Sequence, residues 1–473
     1  MKRIQYIMVL VALAAASVSA FGQQNLRSAY FLDGYTYNYK MNPAMAPERA
    51  FFATPGMGNV GAGVESNLAL STFLYPTGKG NLTTFMSNSV AADQFLDRLQ
   101  VANNLNVSVN ETLFATGYRI GKSYHTVDIS LKADASAILP KDLFAFVKTG
   151  SSAGATSWDI SRTGIRTNAR MELAYGYSRP ISDWIRVGAR VKVLMGIVRA
   201  DMLIDDLNLK MDGQEWAVTA HGNAQVSGPF NVAKVQGSNE VDMGNVTLPD
   251  IEAISEYLVN PSLGLAFDLG ASFDFLDYFT ASVSVLDLGF VGWKSTTSAV
   301  MPGGKWSFDG FDNISFDENG GIDSELNQLG ESLGNMLKME VTEEAVTKSN
   351  SLAATVHAGI EARMPFYERL SFGLLGTQRI DGIYSWTEGR VSANIAPTNW
   401  LSFAASYAVS NFGNSAGGVV NIHLPGLNLY AGLDSFLPLM NVTPQFIPID
   451  SLNTNLTFGI TFTFGKAKGR YRN

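Results

Sequence analysis

Residues 168–193 read NARMELAYGYSRPISDWIRVGARVKV, with apolar side chains at every second position on both sides of the turn-like segment 178–183. Successive side chains of a strand point to opposite faces, so each half has one apolar and one polar face. The apolar faces carry Ala169, Met171, Leu173, Tyr175 and Tyr177 in the first half and Ile185, Val187, Ala189, Val191 and Val193 in the second. The stretch predicts a β-hairpin whose other face is charged.

The same alternation recurs along the chain. It is clear in 128–137, 263–273, 354–361, 401–409 and 427–434. We count roughly twelve to sixteen strands, and an even number is expected for a single-chain bacterial barrel.

Composition separates two interpretations of these strands. A soluble β-sandwich also alternates, with its apolar face buried. However, only 16% of the residues are charged, against about 25% in ordinary soluble domains, and the mean hydropathy is +0.06. Beyond residue 20 there is no apolar run long enough for a membrane helix. We therefore predict an all-β fold: a single transmembrane antiparallel β-barrel, closed because an open sheet edge in hydrocarbon leaves backbone groups unpaired.

Charge and cysteine content exclude several classes of function. The net charge of −8 argues against nucleic acid as a partner. The chain has no cysteine. Disulfides, thiolate metal sites, a cysteine nucleophile and a lipid-modified N-terminal cysteine are therefore excluded.

The N-terminus has the features of an export signal. Lys2 and Arg3 precede the apolar segment 7–15, and the small residues 18–20 suit cleavage, so residues 1–20 are predicted to be a signal peptide. The alternative, an uncleaved helical anchor, requires a longer apolar run. We expect the cell outer membrane as the location, since closed barrels predominate there.

The last strand has the clearest pattern, with large apolar residues alternating with small or hydroxyl residues. The large residues are Leu456, Phe458, Ile460, Phe462 and Phe464. This segment resembles the C-terminal strand by which outer-membrane barrels are recognised by the barrel assembly machinery. A basic tail, residues 466–473, follows it. The tail is either a solvated end or a contact for anionic lipid headgroups or a periplasmic partner.

Residues 21–60 precede the first clear strand and contain Asn42, Pro43 and Ala44. With this element the chain resembles the FadL-like outer-membrane barrels, in which Asn-Pro-Ala belongs to an N-terminal plug inside the barrel. The layout also resembles an uncharacterised barrel family of Bacteroidota, related to barrel subunits of type IX secretion. The resemblance implies about fourteen strands formed by residues 61–465, with residues 21–60 as the plug segment.

A few segments depart from the strand pattern. Helical spacing or helix start signals predict short helices, which would cap the barrel mouth or pack within the lumen. These helices are 87–100, 140–148, 250–258 and 322–338. Polar stretches predicted to be loops or β-extensions beyond the membrane are 212–248 and 303–350.

Two segments match catalytic or cofactor-binding motifs in sequence but lack the structural context that the motifs require. Residues 56–61 match a dinucleotide-binding fingerprint but lack the helix that it requires. Residues 413–417 match a nucleophile elbow, but a strand follows, so we predict a hairpin loop. Thr355 and His357 share a strand face, which is weak evidence for a nucleophile and base. No pair among His125, His221, His357 and His423 has metal-ligand spacing. We predict no enzymatic activity, no catalytic residue, no cofactor and no metal.

The predicted lumen is charged rather than apolar. Its charged residues are Asp128, Lys132, Asp134, Arg170, Glu172, Arg186, Arg190, Lys192, Asp268, Glu361 and Asp434. Unpaired buried charge is unfavourable, so these groups must be hydrated or paired, which argues against an apolar tunnel along the whole lumen. Mixed signs argue against an ion-selective pore.

Two functions fit this prediction. The first is a FadL-like channel or binding protein for small molecules, which the resemblance implies are hydrophobic. The second is a non-conducting structural or accessory barrel that docks a secretion, assembly or surface complex. The expected partners are outer-membrane lipid, the barrel assembly machinery and, for the second function, another envelope protein.

Overall fold

The computed structural model describes residues 25–53, 56, 58–77, 81–150, 156–211, 216–242, 245, 251–257, 259–308, 338–436 and 454–465. The strands are β1 (Ala50–Ala53), β2 (Val60–Ser66), β3 (Leu74–Pro76), β4 (Leu82–Thr84), β5 (Ala102–Ile120), β6 (Ser123–Pro140), β7 (Ser157–Asp159), β8 (Thr163–Pro180), β9 (Ile185–Met211), β10 (Trp216–Ser227), β11 (Ser262–Phe275), β12 (Phe279–Phe308), β13 (Glu340–Ser351), β14 (Ala354–Met364), β15 (Tyr367–Ile380), β16 (Trp386–Thr398), β17 (Leu401–Ser410), β18 (Gly413–Leu424), β19 (Leu427–Phe436) and β20 (Thr454–Phe464). The α-helices are α1 (Leu70–Phe73), α2 (Ala92–Leu96), α3 (Lys141–Thr149) and α4 (Ile251–Tyr257). Short 3₁₀ helices span Arg27–Ala29, Thr36–Lys40 and Gly382–Tyr384. None of the helices in the described ranges is long and apolar enough to cross a membrane.

The predicted hairpin of residues 168–193 is confirmed. It is formed by β8 and β9, which pair in antiparallel register with Leu173 opposite Val193 and Tyr175 opposite Val191. The apolar residues of both strands therefore share one face of the sheet, and the charged residues share the other.

The sheet closes on itself. β2 pairs with β5 on one side and with β20 on the other, and every strand pair is antiparallel. Four positions in the wall are each shared by two strands: β1 with β2, β7 with β8, β10 with β11, and β13 with β14. The eighteen strands of the sheet thus occupy fourteen positions. The predicted fold class, an antiparallel all-β barrel of about fourteen strands, is confirmed.

The two faces of the wall differ in polarity. In β20, Phe458 and Phe462 are 41% and 42% exposed, whereas Thr457 and Thr461 are fully buried. In β8, Leu173 is 45% exposed and its neighbour Glu172 is buried. A sandwich of two sheets would bury its apolar face. This single closed sheet instead presents an apolar outer surface, as a bilayer-embedded barrel does.

The long connections lie at one end of the barrel, together with the short turn 411–412. The other end, here called the end with the short turns, has the turns 121–122, 181–184, 276–278, 365–366, 399–400 and 425–426. Toward the end with the long connections, β9 and β12 reach 27 and 30 residues, whereas about 9–11 suffice to span a bilayer. Together with β7, β10 and β13, the outer halves of β9 and β12 form what we call the projecting sheet. In the stretches 212–248 and 303–350, predicted to be loops or β-extensions, residues 216–227, 303–308 and 340–350 belong to this sheet, whereas residues 228–242 form a loop with isolated bridges.

An N-terminal segment fills the inside of the barrel. In residues 25–47, here called the plug, Leu26, Tyr30, Tyr37 and Met41 are at most 2% exposed. The plug ends earlier than predicted, because Ala50–Ala53 pairs with both β5 and β20 in the wall. This strand has only four residues, too few for alternation to be visible in the sequence.

The helices lie at the end with the long connections. α2 and α4 fall within the predicted ranges 87–100 and 250–258, and α3 matches the predicted range 140–148 except that it ends one residue later. Residues 322–337 of the predicted helix 322–338 lie outside the described residues. α2 and α3 pack through Phe95 and Phe144, which share a small apolar core with Phe85. The prediction of a hairpin loop at 413–417 is wrong: β18 begins at Gly413, and Ser415 faces the buried side. The predicted signal peptide, residues 1–20, and the basic tail, residues 466–473, lie outside the described residues.

The outer face generates a first prediction. Leu173→Arg should destabilise the folded barrel by about 2–4 kcal/mol, because a charge on the lipid face near the middle of the bilayer must be desolvated. The measurement is urea unfolding of the barrel in lipid vesicles.

Val235→Arg is the matched control, since Val235 is 39% exposed but lies at the end with the long connections. An equal loss of stability in both variants would contradict the placement of Leu173 against lipid.

Candidate functional site

One end of the plug is held to the wall by a buried group of charges. The backbone N–H groups of Arg27 and Ser28 donate hydrogen bonds to Asp434, at 2.7 and 2.6 Å. The Arg27 guanidinium donates to both carboxylate oxygens of Glu388, at 2.9 Å each, and to Glu65 at 2.7 Å. These contacts connect the plug to β19, β16 and β2, so the plug is fixed to strands on both sides of the barrel seam.

A second arginine completes this group. Arg390 donates to Glu388 at 2.9 Å and to the hydroxyl of Ser28 at 2.9 Å. The ring of Trp386 lies 5.0 Å from the Arg27 guanidinium. We call this set the Arg27 cluster: Arg27, Glu65, Glu388, Arg390 and Asp434. Glu388 accepts bidentate contacts from both arginines, the geometry that makes buried ion pairs tolerable.

The other end of the plug is held by a larger network. Lys40 donates to Thr112 at 2.7 Å and to Ser130 at 2.8 Å, and its ammonium lies 3.3 Å from Asp128. Arg190 connects Asp128, at 2.7 Å, to Asp268, at 3.0 Å.

The network continues toward the end with the long connections. Lys192 joins Asp268 to Asp287, and Glu172 accepts from Lys132 and Arg170, each at 2.9 Å. We call this set the Arg190 cluster: Lys40, Asp128, Lys132, Arg170, Glu172, Arg190, Lys192, Asp268 and Asp287. Its alternating signs pair across β6, β8, β9, β11 and β12, so the charges compensate one another within the barrel.

Most of the charged residues predicted to face the lumen lie in these two clusters. Asp134 lies 3.6 Å from Arg170, and Glu361 is buried beside Arg363. Arg186 lies apart, at the end with the short turns.

Several residues of the two clusters were not predicted from the sequence. Glu388 and Arg390 follow an alternation in β16 that could have revealed them. Arg27 and Lys40 lie in a segment without periodicity. Asp287 lies at a positive φ of 59° where the register of β12 shifts.

The Asn42-Pro43-Ala44 motif lies directly against the wall. The Asn42 amide donates to Tyr30 and to the carbonyls of Ala271 and Val283, at 3.2–3.3 Å, and its oxygen accepts from the Ala44 N–H at 3.0 Å. A Cβ atom on Gly270 would lie 2.1 Å from the Asn42 side-chain oxygen. Likewise, a Cβ on Gly188 would lie 2.2 Å from the Pro43 carbonyl oxygen. Glycine is therefore required in the wall for this close approach.

Space inside the barrel is unevenly distributed. A cavity of about 610 Å³ opens at the end with the short turns, between the plug and the wall. It is lined in part by Tyr30, Met45, Arg186, Asp274, Glu361 and Arg363. Deeper in the lumen, cavities measure only about 30 Å³ beside Arg199 and about 10 Å³ beside Tyr39. The described side chains thus leave little open space in the middle of the barrel.

The candidate catalytic groups contact ordinary structural partners. His357 is buried, and its Nδ1 lies 3.0 Å from the Thr377 hydroxyl. His125 stacks on Tyr118 at the outer surface. Within the part of the chain that the structure describes, no group of three or more His, Asp or Glu residues could hold a metal ion.

Comparison with known proteins identifies one family and several similar structures. The model of a family of unknown function (DUF5723) matches residues 43–434. No curated protein sequence matches. The chain is similar to the toluene transporter TbuX of Ralstonia pickettii, with 9% identity, coverage of 95% and 97% of the two chains and a TM-score of 0.43. The toluene transporter TodX of P. putida has 9% identity, coverage of 94% and 99% and a TM-score of 0.40. A Pseudomonas aeruginosa FadL homologue has 12% identity, coverage of 94% and 100% and a TM-score of 0.36. The relation to Bacteroidota and to type IX secretion barrels stays a prediction.

The close approach of the plug to the wall generates a second prediction. Since the chain has no cysteine, Ala44→Cys supplies a single thiol at a fully buried plug position. Adding Gly270→Val should raise its maleimide labelling rate several-fold, because the new side chain occupies the place of Asn42.

Gly389→Val serves as the control, because a Cβ there meets no neighbour within 4 Å. Unchanged labelling in the Gly270→Val variant would show that the plug does not depend on this contact.

Proposed function

This chain belongs to the family of unknown function DUF5723, and we propose that it is an outer-membrane barrel that binds or transports small molecules and is closed at rest by its plug. The observation that carries the proposal is the Arg27 cluster. A segment held inside the barrel by buried ion pairs closes the lumen, and separation of the contacts of the Arg27 cluster frees one of its two ends.

The proposed location follows from the surface of the barrel. An apolar outer face, short turns at one end and long connections at the other are typical of outer-membrane barrels. The predicted signal peptide of residues 1–20 and the closing strand β20 support export and recognition by the barrel assembly machinery. In this arrangement the short turns and the 610 Å³ cavity face the periplasm.

The charges in the lumen restrict the proposed cargo. Both clusters line the path between the two ends, so a purely hydrophobic molecule would have to displace paired ions without replacing their contacts. A small molecule with at least one polar or charged group fits this lumen better than a hydrocarbon.

A second function is favoured by the projecting sheet. β9 and β12 extend well beyond the length that a bilayer requires, and β10 and β13 pair with their outer halves. Such a surface suits an accessory barrel whose lumen stays closed and whose outer end docks an envelope protein. The two proposals differ in whether the plug ever opens.

Conductance in planar bilayers separates them and provides a third prediction. We expect little conductance from the wild type. Arg27→Met should raise it, because removal of one partner of a buried ion pair costs about 3–5 kcal/mol. The variant loses the ion pairs of Arg27 with Glu65 and Glu388, while Glu388 and Asp434 keep Arg390. Liposome swelling with small solutes provides an independent measurement.

Arg49→Met is the matched control, because Arg49 follows the plug and its side chain donates to the Leu424 carbonyl at 3.4 Å, outside the Arg27 cluster. If the Arg27→Met barrel folds but stays closed, and a pull-down from solubilised envelopes enriches one protein, the accessory function is favoured. Lipid mass spectrometry on the same sample identifies any small molecule that co-purifies.

A further inference from the structure

Arg166, Arg199 and Arg379 lie in the part of the lumen nearest the long connections. They belong to neither cluster, and none of the ion pairs described for them involves the plug. Arg166 and Arg199 both contact the same carboxylate oxygen of Asp201, at 2.9 and 2.6 Å. Arg166 also contacts Asp381, while Arg379 approaches Asp381 only to 3.9 Å. Three guanidinium groups therefore share two carboxylates, which leaves one positive charge uncompensated.

These arginines line a common cavity of about 30 Å³. The cavity is large enough for about two waters or one carboxylate group. Arg170 and Asp134, which form the neighbouring ion pair, and Asp381, which pairs with Arg166, also border it. The apolar part of its wall consists of Val291, Trp293, Leu352 and Ala353, next to the polar residues Asn350 and Ser351.

One donor in this cavity has no partner. The Arg199 side chain is 11% exposed, and its Nη1 atom is buried without a hydrogen bond. The amide of Asn168 borders the same cavity, and its buried oxygen is also unpaired. The oxygen and nitrogen of an amide can exchange places by rotation, so Asn168 can present N–H donors to the cavity. An unpaired guanidinium donor beside a rotatable amide suits an anionic acceptor.

We infer that this cavity binds one small carboxylate anion, held by Arg199 and Arg379 and bordered by Trp293. This inference rests on the proposed function and deepens it, because it gives the cargo or ligand a carboxylate group. The apolar wall distinguishes the site from one for a fully hydrated inorganic ion, since it accommodates the carbon end of the molecule.

Saturation-transfer NMR on the full chain in detergent tests the inference, with acetate as the probe and neutral acetamide as the comparison. We expect saturable binding of acetate and none of acetamide. Arg379→Gln and Arg199→Gln should each raise the Kd for acetate roughly tenfold, the effect of losing one charge-assisted contact. Arg379→Lys should retain most of the affinity because the positive charge remains.

Arg98→Gln is the matched control, because Arg98 contacts Ser71 and Tyr75 at the end with the long connections. Wild-type protein without saturable acetate binding, or equal binding by the wild type and both glutamine variants, would overturn the inference. If a glutamine variant fails to fold, two comparisons still test the inference: acetate against acetamide with the wild type, and the wild type against Arg379→Lys with acetate. Binding is measured here without transport, so its failure is distinguishable from a barrel that never conducts.

Discussion

The constraint on which this structure depends is the pairing of every backbone N–H and C=O within a layer that contains no water. A sheet satisfies it only by returning to its own first strand. Here β1 and β2 provide that return by pairing with β5 and β20. Closure then divides the side chains between two faces: one face forms the outer surface of the barrel, which is apolar here, and the other encloses a lumen occupied by the chain's own side chains.

Burial of the charged side chains in the lumen has a desolvation cost, which their ion pairs offset. Replacement of a buried ion pair by apolar residues is often neutral or stabilising, whereas removal of one partner is costly. The Arg27 and Arg190 clusters therefore do not explain why the barrel is stable. They explain why the plug occupies one position, because both of its ends must meet particular carboxylates and hydroxyls. Charge compensation here gives specificity of position more than it gives free energy.

The sequence revealed whatever depends on local periodicity. The β8–β9 hairpin, the apolar outer face and helices α2 to α4 could all be predicted from spacing and from residues such as Pro140. The number of strands in the wall could not be predicted in this way, because pairs such as β10 and β11 share one position in the wall. Only the resemblance to FadL-like barrels supplied a value near fourteen. The partners of Arg27 could not be predicted either. Arg27 lies 361 positions from Glu388 and 407 from Asp434, and no local pattern connects residues that only barrel closure brings together. The prediction of a hairpin loop at 413–417 was wrong because the strand pattern was recognised only from Val419 onward, whereas β18 already begins at Gly413.

The placement of the plug has a consequence for biogenesis. The plug is made before the wall strands, yet Glu388 and Asp434, which hold Arg27, lie in β16 and β19, near the end of the chain. The plug is therefore synthesised first, but it can dock to these residues only after the last strands have been made. The earliest described residues must wait, without their ionic partners, until the last strands have been inserted. Once β20 pairs with β1 and β2, the waiting segment is enclosed, so any factor that keeps it apart from lipid or from other chains must act before that seam is sealed.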